Sequence, residues 1–223
     1  LPMSADASPD TRPPATPPQT AAWPLKVGIV AYPQVEVLDL AGPFEVFTTA
    51  SRVHGKRHPG QPAPFDVVTI ARTRDAVQAR AGLRVLPDHA LADAPPLHLL
   101  LVPGGVVDDE LADPTLPRWI AAAAAQAAIT ASVCTGAFLL AKAGLLEGRT
   151  VTTHWEDVAD LRKAFPGLHV VDDKRWVDEG AIVTSAGIAA GIDMSLHLVA
   201  RLAGEALARA TARQMDVPYP EHP

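Results

Sequence analysis

The sequence predicts a single α/β domain built around a mainly parallel sheet, and two observations support this. From residue 26 onward, short apolar runs alternate with longer amphipathic stretches, which is the pattern of βαβ units whose successive strands are parallel. Hydrophobic residues make up 48% of the 223-residue chain. That content is enough to bury one sizeable core.

The elements follow from this alternation, taken in chain order. The apolar runs predict strands at residues 26–32, 65–70, 99–102, 129–133, 150–153 and 182–185. The amphipathic stretches predict helices at residues 42–53, 114–128, 135–145, 155–164, 189–203 and 205–214. Residues 54–64 combine glycine, proline and basic residues, and they predict an exposed loop.

The two ends of the chain are predicted to be tails. Residues 1–24 are rich in Pro, Ala, Ser and Thr, a composition that favours a disordered segment or one that docks on a neighbouring subunit. Trp23 is the residue there with enough apolar area to anchor it. We therefore divide the chain into an N-terminal tail (1–24), a domain (25–216) and a C-terminal tail (217–223).

Charge and composition exclude several function classes. The net charge is -6 without a long basic run, so the chain lacks the electrostatic footprint of a nucleic-acid or membrane-surface protein. No apolar run approaches the roughly 18 residues of a spanning helix, and residues 1–24 lack a secretory signal. One cysteine excludes an intrachain disulfide and CxxC sites. We expect a cytoplasmic protein whose partner is a small molecule or a second copy.

The strongest functional signal lies at residues 129–148, where an apolar run ends and Cys134-Thr135-Gly136 opens a helix. The first N–H groups of a helix and its dipole stabilise a thiolate, so we expect the pKa of Cys134 to fall below that of a free thiol. Gly136 lets the helix pack closely on the strand and a substrate approach the backbone. The alternative is that Cys134 is a small buried hydrophobe.

Two motifs are predicted to meet Cys134 at the same sheet edge. Gly104 and Gly105 follow the strand at 99–102, where backbone N–H groups of open α/β sheets bind ligands; the alternative is an ordinary turn. Asp39 lies just before the first predicted helix, whose first turn would contain Pro43. Asp39 either caps that helix or lies beside Cys134 with a raised pKa and acts as a general acid.

Two later segments add candidate residues. His154 opens a predicted helix and is either a base for Cys134 or a structural hydrogen-bonding residue. Gly187 and Ile188 follow the strand at 182–185, where their backbone would line a substrate pocket.

These motifs resemble the ThiJ/PfpI superfamily of class I glutamine amidotransferase-like proteins. The resemblance rests on EVLDLAGPFEVF (36–47), VPGG (102–105), SVCTGAFLLAKAGLLEGRTVTTHW (132–155) and TSAGIAAGIDMSLHLV (184–199), and it spans about residues 26–214. It implies a flavodoxin-like fold with helices on both faces of the sheet. The sequence is most similar to isonitrile (isocyanide) hydratases and to the sensor domains of AraC-type transcription regulators.

The resemblance also implies residue roles. Cys134 corresponds to the reactive cysteine, and Asp39 falls where the wider family has a Glu bonded to that cysteine and isonitrile hydratases have Asp. Members proposed as proteases carry His directly after the cysteine, whereas this chain has Thr135, which argues against protease activity. The family implies a homodimer with the cysteine near the interface, and no metal or organic cofactor.

Three functions are compatible with these features. The first is an isonitrile hydratase in which Cys134 attacks the terminal carbon, Asp39 moves protons, and Thr135 with the backbone near Gly105 and Ile188 holds the intermediate. The second is a non-catalytic small-molecule or oxidation sensor that uses the same cysteine. The third is a glyoxalase-like or amidase-type hydrolase. The regulators continue into a helix-turn-helix domain and this chain ends at Pro223, so we expect no DNA binding in cis.

Overall fold

The computed structural model of the protein describes residues 22–223, so most of the predicted N-terminal tail lies outside the described residues. Within residues 22–223 the strands are β1 (Leu25–Val30), β2 (Phe65–Ala71), β3 (Val77–Gln78), β4 (Arg84–Val85), β5 (His89–Ala90), β6 (Leu99–Val102), β7 (Ile129–Val133), β8 (Thr150–Val151), β9 (His169–Val170), β10 (Trp176–Asp178) and β11 (Ile182–Ser185). The helices are α1 (Val37–Arg57), α2 (Asp108–Ala112), α3 (Thr115–Ala124), α4 (Gly136–Lys142), α5 (Val158–Ala164), α6 (Ala190–Ala203) and α7 (Glu205–Gln214).

A seven-stranded sheet in the order β10-β11-β7-β6-β1-β2-β5 forms the centre of the fold. All neighbouring strands in it are parallel except β10, which runs antiparallel to β11. Strands β1, β6 and β7 are almost wholly buried, as expected of parallel strands that helices cover on both faces. The predicted α/β class and mainly parallel sheet are confirmed.

The helices form two groups. Helices α1, α6 and α7 pack on one another, while α2, α3 and α4 pack together separately. The amphipathic spacing predicted α3 to α7 close to their observed bounds. Helix α2 and the two- or three-residue strands β3, β4, β5, β9 and β10 were not predicted, because such short elements show no periodicity.

Three predictions about local structure are wrong. Residues 54–57, expected to begin an exposed loop, are instead the end of α1, where His54 is buried. The first helix begins at Val37 rather than residue 42, so Pro43 lies well inside α1 and not in its first turn. Proline there leaves the Asp39 carbonyl without its helical N–H donor. The predicted strand at 150–153 is shorter, and β8 pairs with β9 in a separate two-stranded sheet.

The strand register brings the predicted site together. Val133 at the end of β7 pairs with Ser185 of β11, and Val102 of β6 pairs with Ser132. The carboxyl ends of three strands therefore meet at one edge, where open α/β sheets bind ligands. The segments that follow them carry Gly104, Cys134 and Gly187.

The flanking segments contact the domain where they are described. The Trp23 ring packs edge-on against His54 with ring centres 5.1 Å apart. Arg209 of α7 lies 4.3 Å from the Tyr219 ring centre and bonds Glu221 at 3.0 Å. No helix among residues 22–223 has the length and hydropathy needed to cross a membrane. The domain division at residues 24 and 216 stays a prediction.

Candidate active site

Cys134 lies on a strained turn between β7 and α4. Its φ is 55°, in the left-handed region that costs a non-glycine residue conformational energy and persists only when neighbours hold it. Its N–H donates to the carbonyls of Ser185 (3.2 Å) and Ala186 (3.3 Å), and its carbonyl accepts from the Thr153 hydroxyl (2.8 Å). The side chain is 7% exposed. The structure thus confirms the predicted strand-to-helix turn.

Asp39 lies beside this turn, but it does not cap the helix. Residue Glu36 is the N-cap of α1, and Asp39 lies in the first turn. The Asp39 Oδ2 atom instead accepts the Gly104 N–H at 3.0 Å, while Oδ1 has no partner of ordinary hydrogen-bond geometry among the described residues. The nearby Cys134 thiol favours the carboxylate and so acts to lower the pKa of Asp39. The capping alternative is therefore excluded.

Burial dominates the titration of Asp39. The residue is 0% exposed, and desolvation raises its pKa from 3.8 to about 7, against the opposing hydrogen bond from Gly104. Asp39 is thus partly protonated near neutral pH. This outcome agrees with the predicted raised pKa of a general acid.

The expected low pKa of Cys134 is wrong. Burial, followed by the charge of Asp39, raises the pKa of the thiol from 9.0 to about 12, although the N–H of Thr135 acts in the opposite direction. Helix α4 has only seven residues, and its dipole does not offset the loss of hydration. Cys134 and Asp39 are therefore a pair that holds two protons below about pH 7 and one above it.

Thr135 forms two hydrogen bonds with the glycine loop that follows β6. The Thr135 hydroxyl accepts the Gly105 N–H and donates to the Gly105 carbonyl, both at 2.8 Å. The Gly105 N–H and the Thr135 hydroxyl are consequently occupied by each other. In this geometry neither donor is free to hold an intermediate, contrary to our expectation. A Cβ on Gly104 would lie 2.9 Å from Asp39 Oδ2 and 2.5 Å from the Thr135 nitrogen. Only glycine therefore fits between the two residues.

Gly136 lies where the start of α4 packs against β6, and its role in substrate binding stays a prediction. A Cβ at this position would lie 2.1 Å from the Val102 carbonyl oxygen, so glycine allows α4 to start directly against β6. This confirms the predicted close approach of helix and strand. Gly136 is buried, and its missing side chain faces the sheet.

His154 and Gly187 border the sulfur on the other side. A Cβ on Gly187 would lie 2.6 Å from His154 Cδ2 and 2.8 Å from Cys134 Sγ. The His154 Nδ1 atom accepts the Glu156 N–H at 3.2 Å and lies 3.3 Å from Asp157 Oδ2. His154 therefore has the structural role that we considered and also lies at the site.

Ile188 follows Gly187 and is half-buried. Within residues 22–223, the N–H groups of Gly187 and Ile188 have no acceptor. They are therefore available donors, and Gly187 lies beside Cys134. Exposed apolar side chains flank three site residues, since Leu38 (40% exposed) precedes Asp39, Val106 (42%) follows Gly105 and Trp155 (73%) follows His154.

Sequence reasoning missed two buried residues at the site. The Tyr32 hydroxyl donates to the Pro103 carbonyl at 2.7 Å and so holds the start of the glycine loop in place. Burial and the nearby Asp39 raise the pKa of Tyr32. Thr153 binds the Cys134 carbonyl. Tyr32 follows β1 at the same sheet edge, which was an available signal, but nothing in the sequence pairs Thr153 with Cys134.

Comparison with known proteins agrees with this geometry. Residues 25–201 match the model of the DJ-1/PfpI family. Isonitrile hydratase of Pseudomonas putida is 34% identical over 193 residues, which cover 86% of this chain and 78% of that protein. The HTH-type transcriptional regulator GbdR of Pseudomonas aeruginosa is 30% identical over 88% of this chain, which spans about half (52%) of the regulator.

A solved structure shows the same fold. The crystal structure of a ThiJ/PfpI family protein from Pseudomonas syringae superimposes with a TM-score of 0.75 at 28% identity. The match covers 96% of this chain and 85% of that one. The predicted flavodoxin-like architecture is thereby supported over nearly the whole described chain.

Proposed function

The chain belongs to the DJ-1/PfpI family, and on this premise we propose that it is a cysteine-dependent isonitrile hydratase that converts R–N≡C to R–NH–CHO. One observation carries the proposal: a buried carboxyl group with a pKa of about 7 lies beside a strained, slightly exposed cysteine. Such a carboxyl can both take and give a proton at neutral pH. The similarity to isonitrile hydratase of Pseudomonas putida supports the choice of substrate.

The first step adds the thiol across the terminal carbon of the isonitrile. The Asp39 carboxylate takes the proton from the Cys134 thiol as the sulfur attacks, and it then delivers this proton to the same carbon. A C–S bond and a C–H bond form, the S–H bond breaks, and the product is the thioimidate R–N=CH–S–R′, in which R′ is the rest of Cys134. The reacting form is therefore the pair that holds a single proton, so a low thiol pKa is not required.

The second step hydrolyses the thioimidate. Asp39 takes a proton from water as the water oxygen bonds to the carbon, and it passes that proton to the nitrogen. The C–S bond then breaks, and the sulfur recovers the second water proton. Formamide leaves and the thiol is restored. The N–H groups of Gly187 and Ile188 are the available donors for the polar intermediate.

The low exposure of Cys134 favours a slender reactive group. A sulfur in a side chain that is 7% exposed is reached by a linear N≡C group more readily than by a planar amide or a branched carbonyl. The bulk of the substrate would then stay at the rim beside Leu38, Val106 and Trp155. An amidase-type or glyoxalase-like hydrolase fits this crevice less well.

A second candidate is a non-catalytic sensor of small molecules, and one observation favours it. The regulator GbdR shares 30% identity with this chain. The oxidation-sensing form of this candidate is weaker, because oxidation requires an accessible thiolate and the pKa of Cys134 is raised to about 12. A homodimer and a cytoplasmic location belong to the same proposal.

The test is to mix purified protein with an aliphatic isonitrile and to follow the formamide by chromatography. We expect turnover by the wild-type protein and none by Cys134→Ser. Ser132→Ala is the matched control, since it removes a buried hydroxyl without a partner two residues earlier, and it should keep turnover. Isonitrile binding without formamide would overturn the hydratase in favour of the sensor.

A further inference from the structure

We propose that Thr153 is a positioning residue that holds the cysteine turn in its reactive conformation. Its hydroxyl donates to the Cys134 carbonyl at 2.8 Å, and the side chain is 1% exposed. The inference deepens the proposed function in one respect, because it assumes that Cys134 is the reacting group. It does not depend on the identity of the substrate.

The turn needs such a restraint because Cys134 has a φ of 55°. A residue with a β-carbon is strained in the left-handed region, so this backbone conformation persists only if surrounding hydrogen bonds hold it. On the N–H side, Cys134 is held by two carbonyls of the segment after β11. On the carbonyl side, the other donor is the Ala137 N–H at a long 3.4 Å. The Thr153 hydroxyl is thus the main restraint on that side.

The segment that carries Thr153 is itself firmly anchored. The Thr152 N–H donates to Thr184 Oγ1 and the Thr152 hydroxyl to the Val171 carbonyl, both at 2.9 Å. The N–H bond, which Thr152→Val would keep, fixes the chain after β8 against the end of β11, whereas the hydroxyl bond reaches the residue after β9. The Thr153 hydroxyl is therefore presented at a fixed place, and the next residue, His154, is placed beside Gly187 and the sulfur.

Removing this hydroxyl would displace the sulfur. Valine has nearly the same shape as threonine but cannot donate, so the Cys134 carbonyl would be left with one long hydrogen bond and the turn could relax. The sulfur would then move relative to the Asp39 carboxyl. Proton transfer between them depends on hydrogen-bond distance, so the chemical step suffers more than substrate binding.

The experiment compares Thr153→Val with Thr152→Val. The two threonines are adjacent and equally buried (1% exposed), and each hydroxyl donates one bond to a backbone carbonyl, so a merely structural effect would be similar. We expect Thr153→Val to lower kcat for isonitrile hydration at least about tenfold with little change in KM, as expected of a misplaced reacting group. Thr152→Val should keep kcat, and Thr153→Ser should restore it.

A second readout does not require hydratase activity. The rate of Cys134 alkylation by iodoacetamide is measured against pH for each variant. In Thr153→Val the midpoint should fall toward that of an ordinary thiol, because the sulfur leaves its buried place beside Asp39. Thr152→Val should match the wild type.

These outcomes separate the two proposals. Absent turnover in the wild type would overturn the hydratase, while the alkylation profiles would still test Thr153. Equal losses of kcat in both valine variants, or failure of Thr153→Ser to restore it, would overturn the positioning role. Unfolding by urea establishes that each variant is folded.

Discussion

Asp39→Asn is predicted to make the protein more stable at neutral pH while it abolishes activity. Asparagine keeps the shape of the side chain and an oxygen that can accept the Gly104 N–H, now at 3.0 Å. It cannot ionise. The substitution therefore removes the cost of a buried charge and, with it, the proton transfers that we assign to Asp39.

The size of the effect follows from the pKa. An unfolded aspartate titrates near 3.8, while folding raises the pKa of Asp39 to about 7. Between these values the folded state holds a proton that the unfolded state has lost, so the free energy of unfolding of the wild type falls as pH rises. At about 1.4 kcal/mol per pH unit, the loss reaches about 4 kcal/mol at pH 7 and changes little above it.

The assay is urea unfolding of both proteins between pH 4 and pH 8. The difference in free energy of unfolding, variant minus wild type, should grow with pH by up to about 4 kcal/mol and then level off. Ser132→Ala removes no ionisable group and should follow the pH dependence of the wild type. A difference between Asp39→Asn and wild type that does not change with pH would refute a buried, destabilised carboxylate.

Two further predictions concern catalysis and packing. Isonitrile hydration by the wild type should increase with pH through a midpoint of about 7, because the pair of Asp39 and Cys134 must lose one of its two protons to react. A rate that falls through this range would contradict the shared-proton mechanism. Gly136→Ala should lower the free energy of unfolding by about 1–3 kcal/mol, because its Cβ would lie 2.1 Å from the Val102 carbonyl oxygen. Gly55→Ala in α1 should raise the free energy of unfolding by about 0.5–1 kcal/mol, because a Cβ there meets nothing within 4 Å. Equal effects of the two substitutions in urea unfolding would show that the contact at Gly136 is relieved by movement.

The sheet could be predicted because its central strands are buried on both faces. Strand β6 is a continuous apolar run, β7 and β11 combine apolar residues with buried Thr and Ser, and all three were predicted with the observed bounds. The start of α1 could not be predicted. Pro43 suggested a first turn, but the helix begins six residues earlier, at Val37, because burial of apolar residues such as Leu40 outweighs the local preference of proline.

The site was predicted as a set of residues but not as a set of contacts. The rule that parallel strands end at one edge was enough to bring Cys134, Asp39 and Gly104 together. It could not show that Thr135 and Gly105 bond each other, nor that Thr153 holds the Cys134 carbonyl. Those pairings depend on how loops far apart in sequence lie against each other.

The error in the pKa of Cys134 identifies the balance that governs the site. The prediction counted what a helix N-terminus supplies, namely N–H groups and a dipole, but not what burial removes. Desolvation outweighs these donors for both Cys134 and Asp39, so each pKa is raised. A thiolate would be a poor resting state beside a buried carboxylate, whereas a single proton shared by the pair limits the site to one negative charge. Because Thr135 stands in place of a histidine after the cysteine, Asp39 is the group that we assign as the base for that proton. The same burial that disfavours the free thiolate raises the pKa of the Asp39 carboxyl to about 7, so that it can exchange the proton at neutral pH.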